Sequence, residues 1–123
     1  MTIPASDFPR LAIAEFPSIE PELSDDGIAG LIHLEVAELA RFVQAAKGRA
    51  DWATWGHAMG FVERLLSEAD QALDNALYVS FLEHIDFDGP RGEEAWRLVP
   101  PSLQRAWRQI NDGWGRERPG WMP

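Results

Sequence analysis

The chain contains no cysteine, which excludes disulfides and thiolate chemistry. It has no apolar stretch near the roughly 20 residues that cross a bilayer. Its opening, Met1-Thr-Ile-Pro-Ala-Ser-Asp7, lacks the basic start and apolar core of a secretory signal, so a cytoplasmic location with no membrane partner is expected. Basic groups are scarce: 11 Lys and Arg stand against 20 Asp and Glu, for a formal net charge of -9. The shortage is uneven, because residues 1–90 hold 16 acidic and 5 basic side chains while residues 91–123 hold 4 and 6. Such a body repels phosphate backbones, which argues against a nucleic-acid partner. It attracts and steers a basic protein instead. There is no Gly-x-Ser-x-Gly elbow and no phosphate-cradling glycine loop.

What is present is a globular composition, 46% hydrophobic and 25% charged, in 123 residues that suit one domain with one core. The organising stretch is Ala76-Leu-Tyr-Val-Ser-Phe-Leu-Glu-His-Ile-Asp-Phe87, which opens with seven uncharged residues. Asp70 is placed to cap a helix here, and Asp74 adds negative charge near its N-terminus. Leu73, Leu77, Phe81 and Ile85 repeat every four residues, with Val79 and Leu82 widening the apolar surface. Residues 71–86 are therefore read as a buried central helix.

The other elements arrange themselves around it. Residues 1–27 carry Pro4, Pro9, Pro17 and Pro21 and read as an arm. Short helical turns are expected at 8–15 and, capped by Ser18, at 19–24, with Phe8, Leu11, Phe16, Ile19 and Leu23 forming an apolar strap. A helix is expected from about Ala29 to Lys47, with Gly48 as its C-cap. Another, capped by Asp51, spans about Trp52 to Ala69, and its Gly56 and Gly60 suggest close approach to a neighbouring helix. A short helix at about Gly92 to Leu98 precedes one begun by Pro100-Pro101, whose stripe is Leu103, Ala106, Trp107, Ile110 and Trp114. Residues 115–123 read as a loose tail unless Trp121 docks. The expected fold is all-α, a compact five- to six-helix bundle of antiparallel helical hairpins.

Residues able to carry chemistry are few. His33, His57 and Glu83 can form a metal or small-ligand site only if they meet in one pocket. No Glu-x-x-His pair is present, and no cofactor is expected. Glu83, at the end of the apolar run, is expected to act as a polar lock through Arg64 or Arg97. Of the six tryptophans, Trp55, Trp96, Trp107 and Trp114 fall on apolar faces. Trp52 and Trp121 are less easily buried, and exposed aromatics flanked by charge are typical binding anchors.

The stretches Leu31-Ile-His-Leu-Glu-Val-Ala-Glu-Leu-Ala-Arg-Phe42, Phe61-Val-Glu-Arg-Leu-Leu66 and Asn75 to Phe87 resemble a family of small, acidic, all-helical bacterial domains of unknown function. Val79-Ser-Phe-Leu-Glu83 matches its recurrent core signature, and Gly89-Pro-Arg-Gly92 with Leu98-Val-Pro-Pro-Ser-Leu103 extends the likeness over about residues 16 to 114. Members resemble immunity proteins of bacterial toxin systems. The resemblance implies a non-enzymatic domain that binds and occludes a cognate basic protein, a toxin domain. Candidate contacts are the acidic positions outside the core stripes, Glu35, Glu38, Asp51, Asp86 and Asp88, together with Trp52. The alternatives are the His33/His57/Glu83 enzyme and a structural homo-oligomer, a homo-dimer for example, burying the Gly56/Gly60 face.

Overall fold

Proline decides how the chain begins. In the computed structural model, which describes residues 2–122, a proline sits in the first turn of each of three short helices. These are α1 (Phe8–Glu15), a 3₁₀ turn (Pro17–Ile19) and α2 (Glu20–Leu23). Phe8, Phe16, Ile19 and Leu23 are buried and Leu11 partly so, which makes the arm the expected strap. The Phe16 ring lies against Phe42, His57 and Phe61 at centroid distances of 5.4, 4.6 and 5.9 Å. Ser18 does not cap α2, because the 3₁₀ turn runs directly into it. Asp70 anchors the start of the arm. Its carboxylate accepts from Leu73 N–H at 2.8 Å and from Ala5 N–H at 3.3 Å, while Ile3 bridges to the backbone beside it. Met1 and Pro123, the ends of the predicted arm and tail, lie outside the described residues.

Three long elements form the body. Helix α3 (Ile32–Gly48) starts later than predicted because Gly30 takes φ +85° and donates its N–H to the Glu35 carboxylate at 3.1 Å. It ends without a glycine cap: the left-handed residue is Ala50, at φ 57°. Asp51 caps α4 (Trp52–Glu68) as predicted. Gly56 and Gly60 do not meet a neighbouring helix, since a Cβ built on either finds no atom within 4 Å. The central helix follows as α5 (Gln71–Ala76), a π turn (Leu77–Phe81) and a 3₁₀ turn (Leu82–His84). It packs most extensively on α3. The wider π turn shifts the side-chain register, so Val79 is 40% exposed and Ser80 is buried, its hydroxyl 2.8 Å from His33 Nδ1. The last helical residue is His84, two before the predicted end, and at Ile85 the backbone turns extended (φ -90°, ψ 130°).

Helices α6 (Gly92–Arg97) and α7 (Pro101–Gly113) complete an all-α fold of seven helices with no strand among the described residues. None of these helices is long and apolar enough to cross a membrane. Phe87, predicted only as part of a break between helices, is instead the hub of the core. Trp55, Trp96 and Trp107 all meet its ring edge-to-face, with centroids 6.0, 4.9 and 5.1 Å away. Gly92 is required beside it, because a Cβ there would stand 1.7 Å from the Phe87 carbonyl oxygen.

Two kinds of glycine follow, and urea unfolding separates them. Gly92→Ala has to displace backbone and loses about 1–3 kcal/mol or more. Gly56→Ala and Gly60→Ala, in open space within α4, gain about 0.5–1 kcal/mol each from helix propensity. A stable Gly92→Ala variant would contradict the packing around Phe87.

Candidate functional site

After His84 the backbone leaves helical geometry, so its carbonyls need donors from elsewhere. They come from distant side chains. Trp107 Nε1 donates to Ile85 O at 3.0 Å and Trp121 Nε1 to Phe87 O at 3.2 Å. Lys47, the only lysine of the chain and 8% exposed, donates to Asp86 O at 2.8 Å and Asp86 Oδ1 at 2.9 Å. Gln44 Nε2 reaches the other carboxylate oxygen at 3.0 Å. Glu83 accepts the indole N–H of Trp114 at 2.7 Å, and Arg116 donates to the Glu83 carbonyl at 3.4 Å. The tail is therefore docked rather than loose, and Met122 is buried. Between the 82–88 segment, α7 and the tail lies a cleft of about 400 Å³. Four carboxylates (Glu83, Asp86, Asp88 and Glu117) line it against one guanidinium, that of Arg116.

The structure thus brings together Glu83, Asp86 and Asp88 among the predicted residues. Asp51 and Trp52 stand at the α3–α4 corner, the same end of the bundle, because Lys47 joins that corner to Asp86. Trp52 is half-buried against Trp55, with centroids 6.4 Å apart, and so is not an exposed anchor. Glu35 is 3% exposed and spent on the N-terminus of α3, which removes it from any contact surface. Glu38 pairs with Arg41 and lies apart from the cleft, beside a groove of about 380 Å³ under the strap that Glu22 and Phe42 also line.

The groups that meet Glu83 are Trp114 and Arg116, not the expected Arg64 or Arg97. Arg64 pairs with Glu15 at 2.8 Å and Arg97 with Glu93 at 3.0 Å. His33, His57 and Glu83 do not converge. Their partners are Ser80, Glu15 and Trp114, and among the described residues no group of three or more His, Asp or Glu is placed to hold a metal ion. Sequence reasoning missed Asn111, Trp114 and Glu117. Trp114 extends the α7 stripe by spacing, yet it follows the last helical residue and is 64% exposed. The glycines on either side of it, Gly113 and Gly115, were the available signal.

Two carboxylates are shifted. Hydrogen bonds from the Thr54 hydroxyl and amide hold Asp51 below the ordinary range, with Arg49 helping. The Arg118 guanidinium lowers Asp112 in the same way and is itself raised, an ion pair at 2.6 Å that clamps the tail to α7.

Among known proteins, the family described as a domain of unknown function, DUF7674, matches residues 9–115. No curated protein and no solved structure shows a match.

The Asp51 shift has a definite sign in pH. A carboxyl lowered by folding adds stability that is full above its unfolded value of 3.8 and is lost as pH falls through the folded value. Asp51→Ala is therefore expected to lower Tm by a constant amount between pH 5 and 7 and to converge on the unsubstituted protein below pH 3.8 in thermal melts. A gap unchanged into acid would exclude the charged cap as its source.

Proposed function

We propose that this chain, which belongs to the DUF7674 family, is a non-enzymatic protein-binding domain of the immunity type. It binds a cognate basic protein, a toxin domain, and occludes it in the bacterial cytoplasm. The observation that carries this reading is Trp114. A tryptophan 64% exposed yet held by its indole N–H on Glu83 is a large aromatic surface with its rotamer already fixed. Such side chains supply binding energy at low entropic cost, and tryptophan is the residue most enriched at interface hot spots. It stands beside a cleft whose Asp88 and Glu117 have no ion-pair partner among the described residues. Trp114 therefore takes the anchoring role first assigned to Trp52. Asp88 and Glu117 supply the steering field, while Asp86 and Asp51 at the same end are engaged with Lys47 and Thr54.

Occlusion fits the rigidity of this end. The 83–88 segment is tied by three indoles and one lysine, so little order has to be gained on association. The homo-oligomer reading retains one supporting feature, the open space over Gly56 and Gly60 on α4.

Affinity capture on the immobilised chain at low and high salt tests the proposal. One basic protein is expected, bound at low salt and released at high salt. Trp114→Ala should weaken it by about 2 kcal/mol, roughly thirtyfold in Kd. Asp88→Lys should mainly slow association. Recovery of the chain alone, with sedimentation showing a dimer that Gly56→Leu disrupts, would replace this reading with the oligomer.

A further inference from the structure

We infer that Arg108 on α7, held over the indole of Trp96, is a docking point for a carboxylate on an acidic segment of a second protein. This surface is separate from the one proposed above. Neither Arg108, Trp96 nor Arg105 lines the cleft beside Trp114, and the inference does not depend on that reading.

The starting point is the fate of the cations in an acid-rich chain. Arginines elsewhere have found carboxylates: Arg41 on Glu38, Arg64 on Glu15, Arg97 on Glu93 and Arg118 on Asp112. Among the described residues, Arg91, Arg105 and Arg108 have neither an ion pair nor a side-chain hydrogen bond. All three lie in residues 91–123, where basic groups outnumber acidic ones.

Arg108 is the anomalous one. Its guanidinium carbon stands 5.2 Å from the centroid of the Trp96 ring, and its Nε is buried with no hydrogen-bond partner. An enclosed N–H without an acceptor is a standing cost to the fold. Asp112, one turn further along α7, feels the Arg108 charge but gives both of its oxygens to Arg118, at 2.6 and 3.1 Å. The position is fixed as well as unsatisfied. Gln104, four residues earlier on the same helix face, donates to the Trp96 carbonyl at 2.8 Å and so holds this part of α7 against α6. Trp96 is only 7% exposed, and its ring is packed on Phe87 and Trp107. With the Nε edge enclosed against this platform, the donors left are those of the two Nη nitrogens, a planar fork that matches both oxygens of a carboxylate. Arg105, one turn back and exposed, adds a second positive charge.

Charge complementarity calls for an anion, and the surroundings select its source. A long polyanion such as nucleic acid is repelled by the net charge of -9, whereas a short acidic segment meets mainly the local field. Leu98, 44% exposed and two residues beyond Trp96, offers that segment an apolar contact that an inorganic oxyanion has no use for. A second copy of this chain would bring the same net negative charge against this one, which opposes self-association here.

The test is an NMR titration of the full chain with the blocked peptide acetyl-Glu-Glu-Leu-Glu-amide, with its glutamine counterpart and inorganic phosphate as comparisons. Saturable shifts are expected at the Arg108 Nε–H and the Trp96 indole N–H, with a Kd on the order of 1 mM or below. The glutamine peptide should give none, and phosphate should bind about tenfold more weakly. Arg108→Met keeps an apolar stem on Trp96 but removes the fork, and should lose about tenfold in peptide affinity. Arg108→Lys, which keeps the charge without the fork, should lose nearly as much, and Arg105→Gln about threefold. If Arg108→Met fails to fold, the other two variants still decide. Shifts spread evenly over the arginines, or insensitive to these variants, would overturn the inference. So would phosphate binding as tightly as the peptide, which would mark an adventitious ion only. Concentration-dependent shifts of the same resonances without any probe would put a second copy there instead. Capture of a basic protein at the Trp114 surface is expected to be unchanged by Arg108→Lys, so the two proposals stand or fall separately.

Discussion

The structure depends on how the chain is held once the central helix has ended. At Ile85 the backbone turns extended and residues 86–88 belong to no regular element, so in a helical protein this segment has no neighbouring strand to satisfy it. Tryptophan supplies the solution twice over. The rings close around Phe87 as an apolar cage, and the indole N–H groups of Trp107 and Trp121 take the carbonyls of Ile85 and Phe87. Trp55 does the same for Ala95 on α6. A bulky side chain with one donor at its edge is suited to both tasks. Each edge-to-face contact adds about 0.5–1.5 kcal/mol beyond burial, so the cage is a large share of the stability of so small a chain.

That constraint orders everything downstream. With Phe87 fixed, Gly92 must start α6 against its carbonyl, and α7 must bring Trp107 across it. The tail then closes over the same residues, with Asp112 and Arg118 clamping its base. The opposite end is secured differently. There Asp70 caps the central helix and pins the arm, while the prolines break the arm into turns short enough to lie over α3 and α4. A polar device holds one end and an aromatic one holds the other.

The acidic excess acquires meaning from this arrangement. Many carboxylates are used up inside the molecule: Glu35 on Gly30, Asp51 on Thr54, Asp86 on Lys47, Glu15 on Arg64 and His57. What is left over at the tail end, Asp88 and Glu117 beside an exposed Trp114, is a charged rim on a fixed frame. A surface that is ordered before binding keeps more of its contact energy as affinity.

Much of the fold was written in local pattern. The period-four apolar residues of the central helix, the caps Asp51 and Asp70, the proline-broken arm and the α7 stripe each follow from interactions within a few residues, which sequence records directly. So does the net charge, and with it the class of partner proposed. The π turn was not legible, because its one-residue register shift alters which side chains face inward without altering composition; Val79, expected on the apolar surface, is exposed for that reason and Ser80 is buried. Nor was the fate of individual charges. Glu35 and Glu38 stand three apart on one helix and look equivalent, yet the first is buried on Gly30 and the second pairs at the surface. Phe87 and Trp114 became important only through partners 20 or more positions away in sequence, Trp55, Trp107 and Trp121 around the first and Glu83 beside the second. Spacing fixes which residues share a helix face; which face another element covers is decided by tertiary packing, and the candidate site is made of those decisions.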